Sequence, residues 1–439
     1  MENYKDYRDD ILKDLATLVS YPSIYSEDEK PFGKSVKQCL HKALDIAEGY
    51  GFKTVNVDDY CGYIEMGQGE EIIGILAHLD VVPVSETWQT DPFKLTIIDD
   101  KIYGRGTSDD KGAVICSLTA LRMLKPLEHT FTKRIRLILG CNEESGSKGI
   151  AYYVNKYGSV DCGFTPDGDF PLIYGEKGMI RGEFIAESEN IVSIKGGTVS
   201  NAVANRVEIT LKEKKIDLNK LDVYLKNNGI SYSYENNVLV VKGIASHASL
   251  PELGVNAISY AFEGLYQAGL KDTFINAYHE LISTTYNGQL LGINLKDDYG
   301  ELTFNVGLAY KKDKKIGCSI DIRFPVTYSG KDIVEKIQKN GKGYVNIYSF
   351  VNPLFFPLDH PMINALMSAY QDVTKDFDSK PIVLGGGTYA KEMNNIVAFG
   401  CLDQGYDYHI HDDGEFTTEE SLQKQVACYY QAILNLMKI

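Results

Sequence analysis

The stretch IIGILAHLDVVP, residues 72–83, decides how this chain is read. Residues 72–77 form an unbroken apolar run of strand length, which predicts a buried strand bounded by turn residues. His78 and Asp80 follow at its end. Residues two apart on a strand point to the same side, so an imidazole and a carboxylate face one direction where strand becomes loop. A second apolar run, residues 135–140, is followed by the doublet Glu143-Glu144. Strand ends are where α/β proteins build their sites. With Asp109, Asp167 and His411 elsewhere in the chain, the donors suit a hard, partly imidazole-lined metal site.

Working outward, residues 7–19 have helical spacing, with Ile11, Leu12, Leu15 and Leu18 on one side. Further helical runs lie at 113–124 and 149–156. Alternating strands and helices predict an α/β domain, with a mixed, mainly parallel sheet flanked by helices. The middle of the chain differs. Strands at 206–211, 238–241, 302–306 and 319–324 interleave with helices at 218–227, 256–268 and 331–339, the pattern of an inserted α+β domain. Turn chemistry marks its borders, at Gly175-Glu176-Lys177-Gly178 and from Asn352-Pro353 to His360-Pro361. The expected division is therefore 1–177 and 356–439 for the two parts of a catalytic domain, and 178–355 for the insert. The last part holds a helix from Met362, the run Gly385-Gly386-Gly387, and a closing helix that Thr417 or Thr418 can cap.

Composition narrows the function. A chain of 439 residues with 44% hydrophobic residues can bury two or three ordinary cores. A net charge of −15 argues against nucleic-acid binding, which needs a basic surface, and fits a protein that tolerates cations. The eight cysteines contain no C-x-x-C pair, which removes zinc-ribbon and dithiol readings, and free thiols suggest a reducing compartment. The charged start, from Met1 to Asp6, lacks an apolar signal region, and no run reaches the ~18 apolar residues that span a bilayer. The expectation is a cytoplasmic protein without a membrane partner.

Each candidate has a plainer reading. His78 alone could be a hydrogen-bonded structural histidine. Residues 104–112, GRGTSDDKG, lack the order of a phosphate loop and could be a glycine turn capping a helix. Glu143-Glu144 could be a solvated pair. Beside a cation, though, two adjacent carboxylates divide the labour, one binding metal and the other holding a water's proton. Asp167 lies in Thr165-Pro166-Asp167-Gly168, which could be an ordinary turn. On chemistry alone, His409 and His411 are equal as ligands.

Together, in this order and spacing, the motifs resemble the aminoacylase–carnosinase–carboxypeptidase G superfamily of co-catalytic metallopeptidases, most nearly its monomeric PepV-type bacterial dipeptidases. The likeness is carried by residues 78–83 with Trp88, Gly104-Arg105-Gly106 through Asp109-x-Lys111-Gly112, Glu143-Glu144-Ser145, Thr165-Pro166-Asp167 and Gly385-Gly386-Gly387-Thr388-Tyr389. It implies two divalent ions, Zn2+ or Mn2+. His78 and Asp167 would hold the first, Glu144 and His411 the second, and Asp109, rather than its neighbour Asp110, would bridge them. Glu143 matches the general base and Asp80 the residue that orients His78. The choice of His411 over His409 follows the family spacing to a glutamate, here Glu415. In the insert, Asn201, His247 and Arg323 match substrate-binding positions, as do Gly386, Gly387 and Thr388 later in the chain. Lys391, where relatives often carry Arg, and Gly168, where they often carry Ala, depart from the pattern. The resemblance implies a monomeric dipeptidase; N-acyl-amino-acid deacylation and a non-catalytic metal-binding role are the rival readings.

Overall fold

The computed structural model describes residues 6–212 and 216–439. The charged start at Met1 to Lys5, where no signal region was expected, lies outside the described residues. The chain divides into two compact units: 1–175 with 356–382 and 387–439, and 176–355 with 383–386.

In the first unit, the run 72–77 is the strand Ile72–His78, and the run 135–140 is the strand Arg134–Gly140. They pair in parallel, with His78 opposite Gly140. Cys162–Thr165 pairs in parallel with Ile72–His78, and Ile396–Ala398 in parallel with Cys162–Thr165. Antiparallel strands flank this parallel centre: Cys61–Gly67 beside Arg134–Gly140, then Lys53–Val57. The sheet is thus mixed. Its parallel strands run as continuous apolar segments because both faces are covered; Ile73, Ile75, Leu76, Leu137, Ile138 and Leu139 are all fully buried. Flanking helices include Arg8–Val19, Lys34–Gly49, Lys111–Leu124, Pro361–Thr374 and Glu419–Leu436. Val114, Leu118 and Leu121 bury one stripe of Lys111–Leu124, and truncating such a residue to Ala costs about 2–5 kcal/mol. Thr418, not Thr417, caps the closing helix, its hydroxyl accepting from the Ser421 amide. Thr417 instead sits in the strand Phe416–Thr418. The helix Lys34–Gly49 joins those expected from spacing.

The second unit has an eight-stranded antiparallel sheet, from Ser231–Glu235 at one edge to Val345–Val351 at the other. Its strands alternate as a one-sided sheet requires. In Gly178–Glu187, for example, Ile180, Phe184 and Ala186 are buried while Arg181 and Glu187 are exposed. Helices Leu218–Asn227, Ala257–Gln267, Thr273–Leu281 and Gly330–Asn340 are capped by Asp217, Asn256, Asp272 and Ser329, whose side chains accept from first-turn amides. Phe184, Phe262, Phe274 and Tyr278 meet at the heart of this core. The segment 383–386 belongs here for local reasons. The Lys177 amide donates to the Leu384 carbonyl at 2.9 Å, and Gly385 lies so near Ser249 that an added Cβ would stand 3.0 Å from the serine Cβ.

Among the described residues, no helix is long and apolar enough to cross a membrane.

Candidate metal centre

Parallel pairing places the carboxyl ends of three neighbouring strands side by side, and each end delivers a donor. Ile72–His78 ends on His78, Arg134–Gly140 leads into Glu143 and Glu144, and Cys162–Thr165 leads into Asp167. Asp109 comes from the loop before Lys111–Leu124. His411 comes from the loop before Phe416–Thr418. That short strand pairs antiparallel with Lys101–Tyr103, Phe416 opposite Tyr103. The register sets the residues that follow Tyr103 beside those that precede Phe416, so the Asp109 and His411 loops meet.

The contacts are close. Asp109 Oδ1 lies 2.9 Å from His78 Nε2, and Asp109 Oδ2 lies 2.8 Å from His411 Nε2. His411 Nε2 is also 3.0 Å from Glu144 Oε1. Among the described residues, three donor groups have ligand atoms mutually within 4.8 Å: His78–Asp109–Asp167, Asp109–Glu144–His411 and His78–Glu143–Glu144. The first two share Asp109, one oxygen toward each. These are imidazole and carboxylate donors with no thiolate, a set that fits divalent zinc or manganese. His411 has φ of 60°, an uncommon backbone setting for a residue with a side chain.

Asp80 divides its work differently from the sequence expectation. His78 Nδ1 donates to the Asp80 carbonyl at 3.0 Å, while the Asp80 carboxylate is 3.6 Å from that nitrogen. The carboxylate accepts instead from the amides of Glu143 and Glu144, at 3.0 and 3.1 Å. The Nδ1–H bond leaves Nε2 as the ligand atom, and the two amide bonds aim the glutamate pair.

Crowded carboxylates make the electrostatics severe. Burial, and then Asp167, push Glu143 up to about 9. Burial, and then Asp109, push Asp167 up to about 7. Hydrogen bonds to Asp109 and Glu144 hold His411 up to about 11. Burial opposes charge on Asp109, but hydrogen bonds from His411 and His78 keep it ionised, well below the usual carboxylate range. The imidazolium rings thus stand where positive charge is wanted.

Several supporting residues carried no role in the sequence reading. Tyr389 is fully buried; its amide donates to Asp167 Oδ2 at 3.4 Å and its ring meets His78 edge-on. Gly140 must lack a side chain here, because a Cβ would fall 1.8 Å from the Tyr389 hydroxyl. Asp110, the neighbour passed over, accepts from the His78 amide at 3.1 Å. Lys111 donates to the carbonyls of Leu18 and Tyr21. Glu415, used only as a spacing marker, pairs with Arg105 at 2.8 Å.

The remaining expected site residues in the second unit form their own neighbourhood. The Asn201 carbonyl accepts from the Ala248 amide at 2.9 Å, and Ala202 bridges to His247. Nδ1 of His247 accepts from the Ser249 amide at 3.2 Å and lies 2.7 Å from its hydroxyl, which leaves the proton on Nε2. Desolvation, and then the Arg323 charge, lower the His247 pKa and keep the ring neutral. Arg323 is buried, held fork to fork by Asp321 at 2.5 and 3.1 Å. Gly386 belongs to this unit, whereas Gly387 and Thr388 belong to the first, where the Thr388 hydroxyl accepts from the Ala390 amide.

Residues 74–435 match the profile of peptidase family M20/M25/M40. The chain belongs to that family. YtjP of Bacillus subtilis, which bears the provisional name dipeptidase, is 33% identical over 455 residues, covering 98% of each chain. A provisionally named dipeptidase of Staphylococcus haemolyticus is 31% identical over 464 residues, covering 99% of this chain and 98% of its own. Among solved structures, human carnosine dipeptidase 1 superposes with a TM-score of 0.61 at 15% identity, over 100% of this chain and 98% of the other. An M20-family metallo-carboxypeptidase from Sulfolobus solfataricus gives 0.58 at 17% identity, over 98% and 99%. These likenesses carry the two-domain α/β fold, and the family makes this chain a peptidase-type hydrolase with candidate metal-binding residues.

Proposed function

We propose that the protein is a dinuclear metallo-dipeptidase that hydrolyses dipeptides bearing a free C-terminal carboxylate. The observation that carries this reading is Asp109, which turns one oxygen to His78 and the other to His411. His78, Asp109 and Asp167 would hold one divalent ion, and Asp109, Glu144 and His411 the other, zinc or manganese in each. When bound, the two ions supply Lewis-acid polarisation and the charge that lowers the pKa of water to about 7.

Glu143 is the group free to move a proton. It belongs to neither triad that shares Asp109, and its backbone is fixed by Asp80. Its raised pKa belongs to the cation-free chain, and positive charge beside it draws that value down. Glu143 takes the proton of the attacking water and returns it to the departing amine. His247 offers a neutral Nε2–H to the oxyanion. Arg323, fixed by Asp321, reads the terminal carboxylate, with Asn201, Gly386, Gly387 and Thr388 as further substrate contacts. The segment 178–355 acts as a lid, and the enzyme works as a cytoplasmic monomer. The provisional dipeptidase names of relatives of nearly full length support the substrate class.

The test compares kcat/KM for a dipeptide, its C-terminal amide and a tetrapeptide, with wild type and Arg323→Lys. The dipeptide should lead by a wide margin, and Arg323→Lys should lose much of that lead, because a point charge cannot copy the planar fork. Equal wild-type rates for acid and amide would reject carboxylate reading and move N-acyl-amino-acid deacylation ahead.

A further inference from the structure

We infer that Glu415 is the positioning residue of the second donor group, a single buried carboxylate that fastens the loop carrying Asp109 to the loop carrying His411. The inference rests on the two-cation reading above and adds to it how one of the two sites is kept in shape.

Glu415 is fully buried, and so, within 2% exposure, is Arg105. A buried carboxylate must be matched by donors, and those it finds are informative. Glu415 Oε1 accepts from the amides of Ser108 at 2.9 Å and Asp109 at 3.1 Å. The Gly106 amide is shared between its two oxygens at 3.0 and 3.1 Å. Arg105 Nη1 donates to Oε2 at 2.8 Å. The partners therefore run along the loop that ends in the bridging carboxylate, and one of them is the backbone of Asp109 itself. Gly106, with φ of 87°, supplies the left-handed turn that aims its amide inward.

The same joint reaches back. Arg105 Nη2 donates to the carbonyl of Asp412 at 3.1 Å, one residue past His411. The Gly104 amide donates to the Glu415 carbonyl at 3.1 Å, and the Ser108 hydroxyl to the Phe416 carbonyl at 2.8 Å. A closed circuit runs from the Asp109 amide through Glu415 and Arg105 to Asp412 and His411. It closes where Asp109 Oδ2 and His411 Nε2 meet. A counter-ion for Arg105 would need one contact; Glu415 spends both oxygens on three backbone amides besides. Aspartate is a methylene too short to span this gap. Glutamine keeps the length but trades an acceptor for a donor that faces other donors.

The first donor group shares Asp109 but takes its other two donors from the sheet. His78 and Asp167 sit at the ends of neighbouring strands, and Thr165 ties the Asp167 turn to strand Ile72–His78 through its bond to the Leu76 carbonyl at 2.6 Å. Damage at Glu415 should therefore fall mainly on the cation whose donors Asp109 and His411 both ride on the braced loops.

The test titrates chelator-stripped full-length protein with Mn2+ and with Zn2+ by calorimetry, for wild type, Glu415→Gln, Arg105→Lys and the control Glu263→Gln. Glu263 is a buried carboxylate bonded to His279 and Ser283 in the other unit, and it belongs to none of the donor groups. The expected result is two binding events in wild type. In Glu415→Gln one of the two events should lose about 10–100-fold in affinity while the other changes far less; Arg105→Lys should move the same way by less; Glu263→Gln should move neither. If Glu415→Gln unfolds, Arg105→Lys decides. A folded variant with both affinities unchanged, or with both lost in equal measure, overturns the inference. Fewer than two cations in wild type removes the two-cation reading and the inference with it.

Discussion

The two halves of the candidate centre are built by different means. His78, Glu143, Glu144 and Asp167 stand at or just beyond the ends of adjacent parallel strands, where a backbone ladder fixes the spacing of their carriers before any side chain acts. Asp109 and His411 stand on loops about 300 residues apart in sequence, joined by a short antiparallel pair and a buried carboxylate. The strand-borne His78 is fully buried, while the His411 side chain is 53% exposed. A site hung on strand ends inherits the sheet's rigidity. One hung on loops must be braced by side-chain bonds, and is the half that mutation should loosen.

The largest effect should come from the sheet half without touching cation content. Glu143→Gln fills the same space and keeps the amide bond to Asp80, but it cannot accept a water's proton. Turnover should fall about 10²–10⁴-fold with both cations retained, checked by steady-state kinetics and elemental analysis. Loss of a cation instead would make Glu143 a ligand, as the grouping His78–Glu143–Glu144 allows, and would redraw the boundary between the halves.

Next in size is the loop half. His411→Ala should lower content from two cations toward one, and His409→Ala should leave two, because only His411 faces Asp109 and Glu144. Elemental analysis of both variants decides; the reverse pattern would exchange the two histidines.

This asymmetry also governed what the sequence could tell. The strands that carry His78 and the glutamate pair were legible because a buried strand is an apolar run of characteristic length. Of the second unit's helices, those expected at 218–227, 256–268 and 331–339 are present, while Thr273–Leu281 was not read from the sequence. The loop half was not legible from local pattern. Asp109 and Asp110 are chemically alike, and so are His409 and His411, whose backbones are both left-handed; only the family resemblance separated them. Their placement depends on Phe416 lying opposite Tyr103, in strands of three residues that have no readable period. The double use of Asp80, carbonyl to His78 and carboxylate to the glutamate amides, is likewise a product of three-dimensional closeness. So is the place of residues 383–386 in the second unit.

A smaller effect, spread over both halves, concerns pH. In the cation-free chain Asp167 is raised to about 7 and Glu143 to about 9, while His411 is raised to about 11. A carboxyl with a raised pKa holds in the folded state a proton that the unfolded chain has released, so its contribution weakens the fold as pH climbs from the usual carboxylate range through the raised value. The raised histidine contributes stability that is complete below its unfolded pKa and is lost as pH rises through about 11. All three have the same sign between about pH 5 and 9. Asp109, lowered, has the opposite sign, but its range lies at acid pH. Cations replace these protons. The gap in melting temperature between cation-loaded and chelator-stripped protein should widen steadily over that interval. A gap that narrows would show that the protons are not displaced, and that Asp167 and His411 do not act as ligands.

The smallest effect distinguishes the base of the loop half from its rim. Asp413 Oδ2 accepts from the Ser85 hydroxyl at 2.6 Å and from the Thr87 hydroxyl, tying the His411 loop to the loop after Asp80. These contacts lie at the solvent-exposed side of the loop, where water competes for each partner and the net gain is small. Glu415, two residues on, makes its bonds in full burial, where nothing replaces a lost partner. Asp413→Ala should therefore weaken the second cation only slightly, and far less than Glu415→Gln does, by the same calorimetric titration. If the two substitutions cost the same, the loop is held at its rim as much as at its base. The contrast between a ladder-fixed half and a half fastened by one buried carboxylate would then have to give way to a loop secured by many weak ties.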